Sequence, residues 1–197
     1  PSAEEVIAAF SKINIDSKEP FVVVNPNAGP MSHLRRWPAE YFAELTLALA
    51  QKYPEFTFLF VGSKQEASYV SGIVDEISIP NVVNSAGMLS FVDLCAIIFK
   101  STFIITNDSM PLHLASAYNK DIVCFFGPET PRFYGPLYPN SLVYFEDIPC
   151  SPCLMTWDNK AGTDCNDNIC LQQILPSRVM QDIQVWHDGN KKSSPSE

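Results

Sequence analysis

One recurrence constrains this chain more than any other feature. Apolar runs rich in β-branched and aromatic residues return at 21–25, 56–61, 103–106 and 122–126, and each reads as a strand buried on both faces. Segments with helical spacing lie between them. In residues 41–52, Phe42, Leu45 and Leu49 fall on one side at i, i+3 and i+7. Residues 66–77 and 90–100 supply two more helices. The second opens on Ser90 and Asp93 in a capping-box pattern, with Leu89 and Leu94 at the positions of a hydrophobic staple. A short strand near Val82 precedes it. Strand and helix alternating at this spacing predict right-handed crossovers, hence an α/β, Rossmann-like parallel sheet with helices on both faces.

Composition narrows what such a sheet serves. A chain of 197 residues that is 46% hydrophobic and 18% charged fills one domain-sized core. Its 13 basic and 22 acidic residues leave a net charge of −9, which argues against general adhesion to DNA, RNA or anionic lipid. Any phosphate contact must therefore be local. No apolar run approaches the roughly 20 residues of a membrane-spanning helix. Residues 1–20 lack a basic stretch followed by an apolar one, so the expected location is the cytoplasm.

In a sheet of this kind ligands sit at the carboxyl ends of the strands, and the four loops there hold the unusual residues: 26–38, 62–66, 107–113 and 127–136. The sharpest is Thr106-Asn107-Asp108-Ser109-Met110-Pro111-Leu112-His113-Leu114-Ala115, a strand turning into a helix. Asp108 or Ser109 can cap that helix and Pro111 suits its first turn. A helix start carries unpaired N–H groups and about +0.5 of charge, so it holds a phosphate without a basic surface; His113, one turn in, could donate to a phosphate or a sugar hydroxyl. The bland reading is a capped structural helix.

The first loop, Asn25-Pro26-Asn27-Ala28-Gly29-Pro30, leads to Arg35-Arg36-Trp37-Pro38. The two arginines could clamp a diphosphate, or be solvated beside a core tryptophan. In Gly62-Ser63-Lys64-Gln65-Glu66, the carboxylate could accept from a ribose diol or simply begin a helix. GxGxxG and GxxxxGK[ST] are both missing, which removes support for dinucleotide and P-loop chemistry. Cys150, Cys153, Cys165 and Cys170 are spaced C-x2-C-x11-C-x4-C. Four thiolates could close a structural zinc site; disulfides or reduced thiols are the alternatives. Cys95 and Cys124 read as small buried hydrophobes.

In this order the loops resemble the C-terminal half of glycosyltransferase family 9, the bacterial ADP-heptose:lipopolysaccharide heptosyltransferases. The likeness runs from about Phe21 to Val185 and rests on N-P-x-A-G, R-x-W-P, G-x-x-x-E, N-D-S-x-P-x-H-L-A, and F-G-P followed by Y-G-P. Cys150-Ser151-Pro152-Cys153 with later cysteines is similar to many members. The resemblance implies the C-terminal half of a GT-B glycosyltransferase, whose partner half, an N-terminal domain, holds the acceptor and the catalytic carboxylate. It implies an inverting transfer with no metal or other cofactor, from a nucleotide-sugar donor, an ADP-sugar, to a glycolipid acceptor at the inner membrane face. On the matching positions, Arg35 lies near the donor diphosphate, Glu66 holds the ribose and Leu89 meets the base. Asp108, Ser109, Met110 and His113 surround the diphosphate and the sugar.

Two residues depart from the family pattern. Met110 stands where glycine lets the backbone approach the phosphates, so it would narrow or reshape the pocket, and Glu129 replaces the threonine after Gly-Pro, adding negative charge near an anion site. The catalytic base is expected in the N-terminal domain, so the chain should bind donor weakly and not transfer sugar alone. Residues 1–19 read as an interdomain helix and linker, 20–188 as the nucleotide-sugar-binding domain with its cysteine loop at 147–170 and last helix at 171–187, and 189–197 as a disordered tail. In whole members the last helix crosses onto the first domain, so here it should expose apolar surface and offer a route to a homo-oligomer. A non-catalytic nucleotide-sugar-binding or regulatory module of the same fold is the alternative, and a nucleotide-sugar epimerase of similar shape is a third class.

Overall fold

A computed structural model of the chain describes residues 1–13, 15–29, 33–137, 139–154 and 164–193, the last four by backbone alone. Among these, six strands form one parallel sheet: β1 (Phe21–Asn25), β2 (Thr57–Phe60), β3 (Val82–Asn84), β4 (Phe103–Asn107), β5 (Asp121–Phe126) and β6 (Ser141–Phe145). Their order is β3-β2-β1-β4-β5-β6, with every neighbouring pair parallel. The order reverses between β1 and β4, and the crevice above that switch point is where such sheets take ligands. The expected strands stand within a residue of their predicted bounds. The addition is β6, whose residues are mostly half-buried and so carry a weaker apolar signal than the central strands.

Among the described residues the α-helices are α1 (Ala3–Phe10), α2 (Ala39–Lys52), α3 (Ala67–Ile77), α4 (Phe91–Lys100), α5 (Met110–Ala117), α6 (Pro131–Tyr134), α7 (Ile169–Gln172) and α8 (Pro176–Ser193). Alternation along each strand serves two cores. Val22 and Val24 face one cluster with Trp37, Phe42, Leu45 and Leu49, which also takes Val179 and Ile183. Phe21 and Val23 face the other, with Val6, Phe10, Ile97 and Leu112. Fully burying one such side chain contributes about 1.5–3 kcal/mol, so both sheet faces are committed to packing and the strand ends are left for chemistry.

The opening segment forms the expected helix, whose Val6, Ala9 and Phe10 are buried in the second core with Ile13, and Lys12 Nζ lies 2.6 Å from Asp93 Oδ2 of α4. The expected last helix over 171–187 is two helices, because Pro176 cannot continue α7 and instead begins α8. Its apolar residues divide: Val179 and Ile183 are fully buried in the cluster that holds α2, while Val185 on the same helix is 77% exposed. Residues 189–193, expected as disordered tail, continue α8; 194–197 lie outside the described residues. No helix among the described residues is long and apolar enough to cross a membrane.

Candidate functional site

The strand-end loops meet in one cavity of about 630 Å³, lined on one side by Asn25, Asn27, Ala28, Gly29 and Arg35 after β1, and by Gly62, Ser63 and Glu66 after β2. Leu89, Ser90, Phe91 and Leu94 form an apolar wall, and Asp108, Ser109, Met110, Pro111 and His113 bring in the start of α5. Glu129 and Tyr134 complete it from the loop after β5. The seven residues that the family resemblance marks for the donor, Arg35, Glu66, Leu89, Asp108, Ser109, Met110 and His113, therefore line one cavity.

Buried asparagines hold the loops in place. Asn25 Nδ2 lies 3.0 Å from Thr106 Oγ1 and 2.9 Å from Ser109 Oγ, tying the end of β1 to the end of β4. Asn107 accepts from the Trp37 backbone N–H at 2.9 Å and donates to the Pro26 carbonyl at 2.9 Å. Trp37 itself stacks on Phe125 with centroids 4.1 Å apart and donates its indole N–H to Ile174 O at 2.8 Å. Each bond satisfies a polar group that burial would otherwise penalise, so the loop carrying Arg35 is fixed from below. Gly62 is required by close approach: a Cβ there would lie 2.9 Å from Asn27 Nδ2 and 3.1 Å from Val70 Cγ2. The polar asparagines Asn25 and Asn107, each closing an apolar strand, are the sequence signal for this stitching.

The two arginines separate. Arg35 Nη1 lies 3.1 Å from Asp108 Oδ2, and its Nη2 donates to the Ala28 carbonyl. Burial pushes the Asp108 carboxyl up, against the opposing pull of the Arg35 guanidinium and a smaller one from His113. Asp108 is thus the counter-charge that holds Arg35 in the cavity wall. Arg36 is absent from the lining; the expected pair clamp is one arginine. Glu66 Oε2 accepts from the backbone N–H of Ser63 at 2.9 Å and from its hydroxyl at 2.7 Å.

The start of α5 corrects a second expectation. Ser109 occupies the capping position without a side-chain cap bond, and Pro111 stands in the first turn. Its hydroxyl turns inward, donating to the Asn107 carbonyl at 3.1 Å. Asp108 does not cap the helix either, being held by Arg35. The α5 N-terminus is therefore presented to the cavity with no side chain of its own upon it, the arrangement that suits an anion. Met110 does not close the space; it is half exposed on the wall.

No disulfide joins Cys150, Cys153, Cys165 or Cys170, and no group of three metal-ligating side chains comes together among the described residues. Burial pushes the Cys170 thiol up to about 11, against a backbone hydrogen bond from Leu171 and with smaller upward contributions from Cys153, Cys165 and Cys150. Part of the loop, 155–163, and Pro30 of the first loop lie outside the described residues.

A family model described as Glycosyltransferase family 9 (heptosyltransferase) matches residues 2–162. The chain is similar to the lipooligosaccharide heptosyltransferase 2 of Campylobacter jejuni subsp. jejuni serotype O:6, 27% identical over 163 residues, which are 82% of this chain and 49% of that protein. In three dimensions it resembles E. coli ADP-heptose LPS heptosyltransferase II, with a TM-score of 0.76 and 23% identity over 97% of this chain and 53% of that one. It also resembles E. coli heptosyltransferase WaaC with ADP, at 0.64 and 17% over 92% and 48%. The chain spans about half the length of the curated relatives it matches. Such structural likeness establishes the fold, and a family match over most of the residues establishes membership: the chain belongs to glycosyltransferase family 9.

Proposed function

We propose that this chain is the donor-binding half of an inverting glycosyltransferase, taking a nucleotide-sugar of the ADP-heptose type and serving transfer to a lipopolysaccharide core or related surface glycan. The observation that carries this reading is the convergence of the family's motif residues, from four separate loops, on one cavity at the sheet's switch point. In this reading Leu89 meets the base and Glu66 the ribose diol. The α5 N-terminus and Arg35 take the diphosphate, and His113 reaches the sugar. The WaaC structure that shares the fold contains ADP, which supports the choice of nucleotide.

The chemistry divides between two halves. A carboxylate of the N-terminal acceptor domain deprotonates the acceptor hydroxyl. The resulting oxygen attacks the anomeric carbon as the bond to the diphosphate breaks, inverting that centre. This chain's part is to stabilise the negative charge that develops on the leaving diphosphate, by a fixed cation and a fixed helix end that need no reorganisation. The acceptor glycolipid and the inner-membrane location belong, in this reading, to the acceptor-binding half. The test is calorimetric titration with ADP, UDP and GDP, beside a Glu66→Ala, Asp108→Ala double variant. Saturable ADP binding that the variant loses is the expected result. Folded protein that binds none of the three would overturn the reading.

A further inference from the structure

Two adjacent arginines leave the first loop, and only the first reaches the cavity. Arg36 is nevertheless well ordered by contacts. Its guanidinium lies 4.2 Å over the Tyr69 ring, and its Nη2 stands 3.9 Å from Glu66 Oε1, with the two side chains 15% and 18% exposed. Its carbonyl accepts from Asn168 Nδ2 at 3.2 Å, which anchors the backbone from the far side of the loop. Glu66 and Tyr69 are neighbours one turn apart at the start of α3, so platform and target sit on the same element.

The Glu66 carboxylate is thereby gripped at both oxygens in different ways. Oε2 is consumed by the N–H and the hydroxyl of Ser63. Oε1 faces a cation at a distance that gives charge attraction without a hydrogen bond. Its lone pairs stay available to a ligand. A carboxylate with one oxygen fixed by its loop and the other biased by a stacked guanidinium has already lost the rotamer freedom that a diol would otherwise have to freeze on binding.

Resting on the donor-binding reading above, we propose that Arg36 is a positioning residue for ribose recognition. Stacked on Tyr69, it holds Glu66 so that Oε1 accepts from the ribose hydroxyls, making the site selective for ribonucleotides. It does not touch the diphosphate. That separates its role from that of Arg35, though the two are consecutive.

The test compares ADP with 2′,3′-dideoxy-ADP, titrated into the wild-type chain, Arg36→Met, Arg36→Lys, Glu66→Gln and the Arg36→Met/Glu66→Gln double variant. Arg36→Met is expected to weaken ADP about fivefold to tenfold while leaving dideoxy-ADP within about twofold. Glu66→Gln should show the same ligand-selective loss. The double variant should lose no more than the worse single, since both remove one arrangement, and Arg36→Lys should recover part of the affinity. Equal losses for both nucleotides would overturn the proposal and assign Arg36 to the diphosphate; so would additive losses. If Arg36→Met does not fold, Tyr69→Leu, which removes the platform, must show the same selectivity in smaller measure, and equal losses there overturn the proposal. Failure of the wild-type chain to bind ADP would instead overturn the donor reading, and the ribose role with it.

Discussion

The starts of α4 and α5 are built from similar residues and finished in opposite ways. At α4 the Ser90 hydroxyl accepts from the Asp93 N–H at 3.2 Å, and Asp93 Oδ2 accepts from the Ser90 N–H at 2.8 Å. Lys12 Nζ adds its charge to that same oxygen. At α5 Ser109 makes no cap bond, and Asp108 is turned to Arg35. One helix start is closed by its own side chains and joins α1 to the sheet; the other is left open toward a cavity. The buried carboxylates record the same difference. Burial pushes both upward, but at Asp93 the Lys12 and Ser90 contacts outweigh it and hold the carboxyl below its ordinary range. At Asp108 burial wins. A joint is built for stability, whereas a site keeps unsatisfied potential.

The largest expected effect tests the joint. Asp93→Ala removes the capping box and leaves Lys12 without its partner. It should cost about 2 kcal/mol of stability in urea unfolding, with ADP affinity of the folded fraction unchanged. A variant as stable as wild type would break the contrast at its structural end. On the other side, Arg35→Met with Asp108→Asn removes the pair together and so avoids stranding a buried charge. ADP should then bind about 10-fold to 100-fold more weakly, since charge-assisted bonds carry about 1.5–3 kcal/mol. Stability should stay within about 1 kcal/mol. A loss of stability without a loss of affinity would make α5 a second joint.

The pH dependences of the two carboxylates should have opposite signs. Asp93 is held below its unfolded value, so the unfolded chain binds its proton more tightly. Its stabilising contribution is present above the ordinary aspartate range and is lost as pH falls through the folded value. Asp108 is raised, so the folded chain holds its proton longer, and its contribution falls as pH rises from the ordinary range to the folded value. Urea unfolding across the acidic range should therefore show Asp93→Asn losing less stability on acidification than wild type. Asp108→Asn should gain on wild type as pH rises, each slope at most about 1.4 kcal/mol per pH unit. Slopes of the same sign would remove the distinction.

Much of this was legible in the sequence because the signals were local. The doubly buried strands announce themselves as continuous apolar runs, and the Ser90–Asp93 box needs only four residues. Arg35, Glu66, Asp108, Ser109 and His113 are legible as residues of strand-end loops, whereas Leu89 and Met110 enter only through the resemblance to the family's motifs. Three features were illegible for a common reason. That the segment after α1 is tied to α4, that Arg36 turns away from the cavity and that the Ser109 hydroxyl turns inward each involve a partner far along the chain: Asp93 for Lys12, Glu66 for Arg36, Asn25 for Ser109. Spacing along one segment cannot report a contact that only the fold creates.

The smallest expected effect sharpens the open helix start itself. Met110 is the first residue of α5, half exposed, with its side chain on the cavity wall. Met110→Gly strips that wall to backbone and lets a phosphate come nearer the helix end, at a helix cost of about 0.5 kcal/mol, since the position is terminal and exposed. ADP affinity should rise about twofold to threefold if Met110 only obstructs, an increment the same calorimetric titration resolves. A fall of similar size would mean that the thioether packs on the ligand and contributes apolar burial. In that case α5 is open to an anion yet already fitted to what the anion carries, and its contrast with α4 becomes one of specificity as well as of charge.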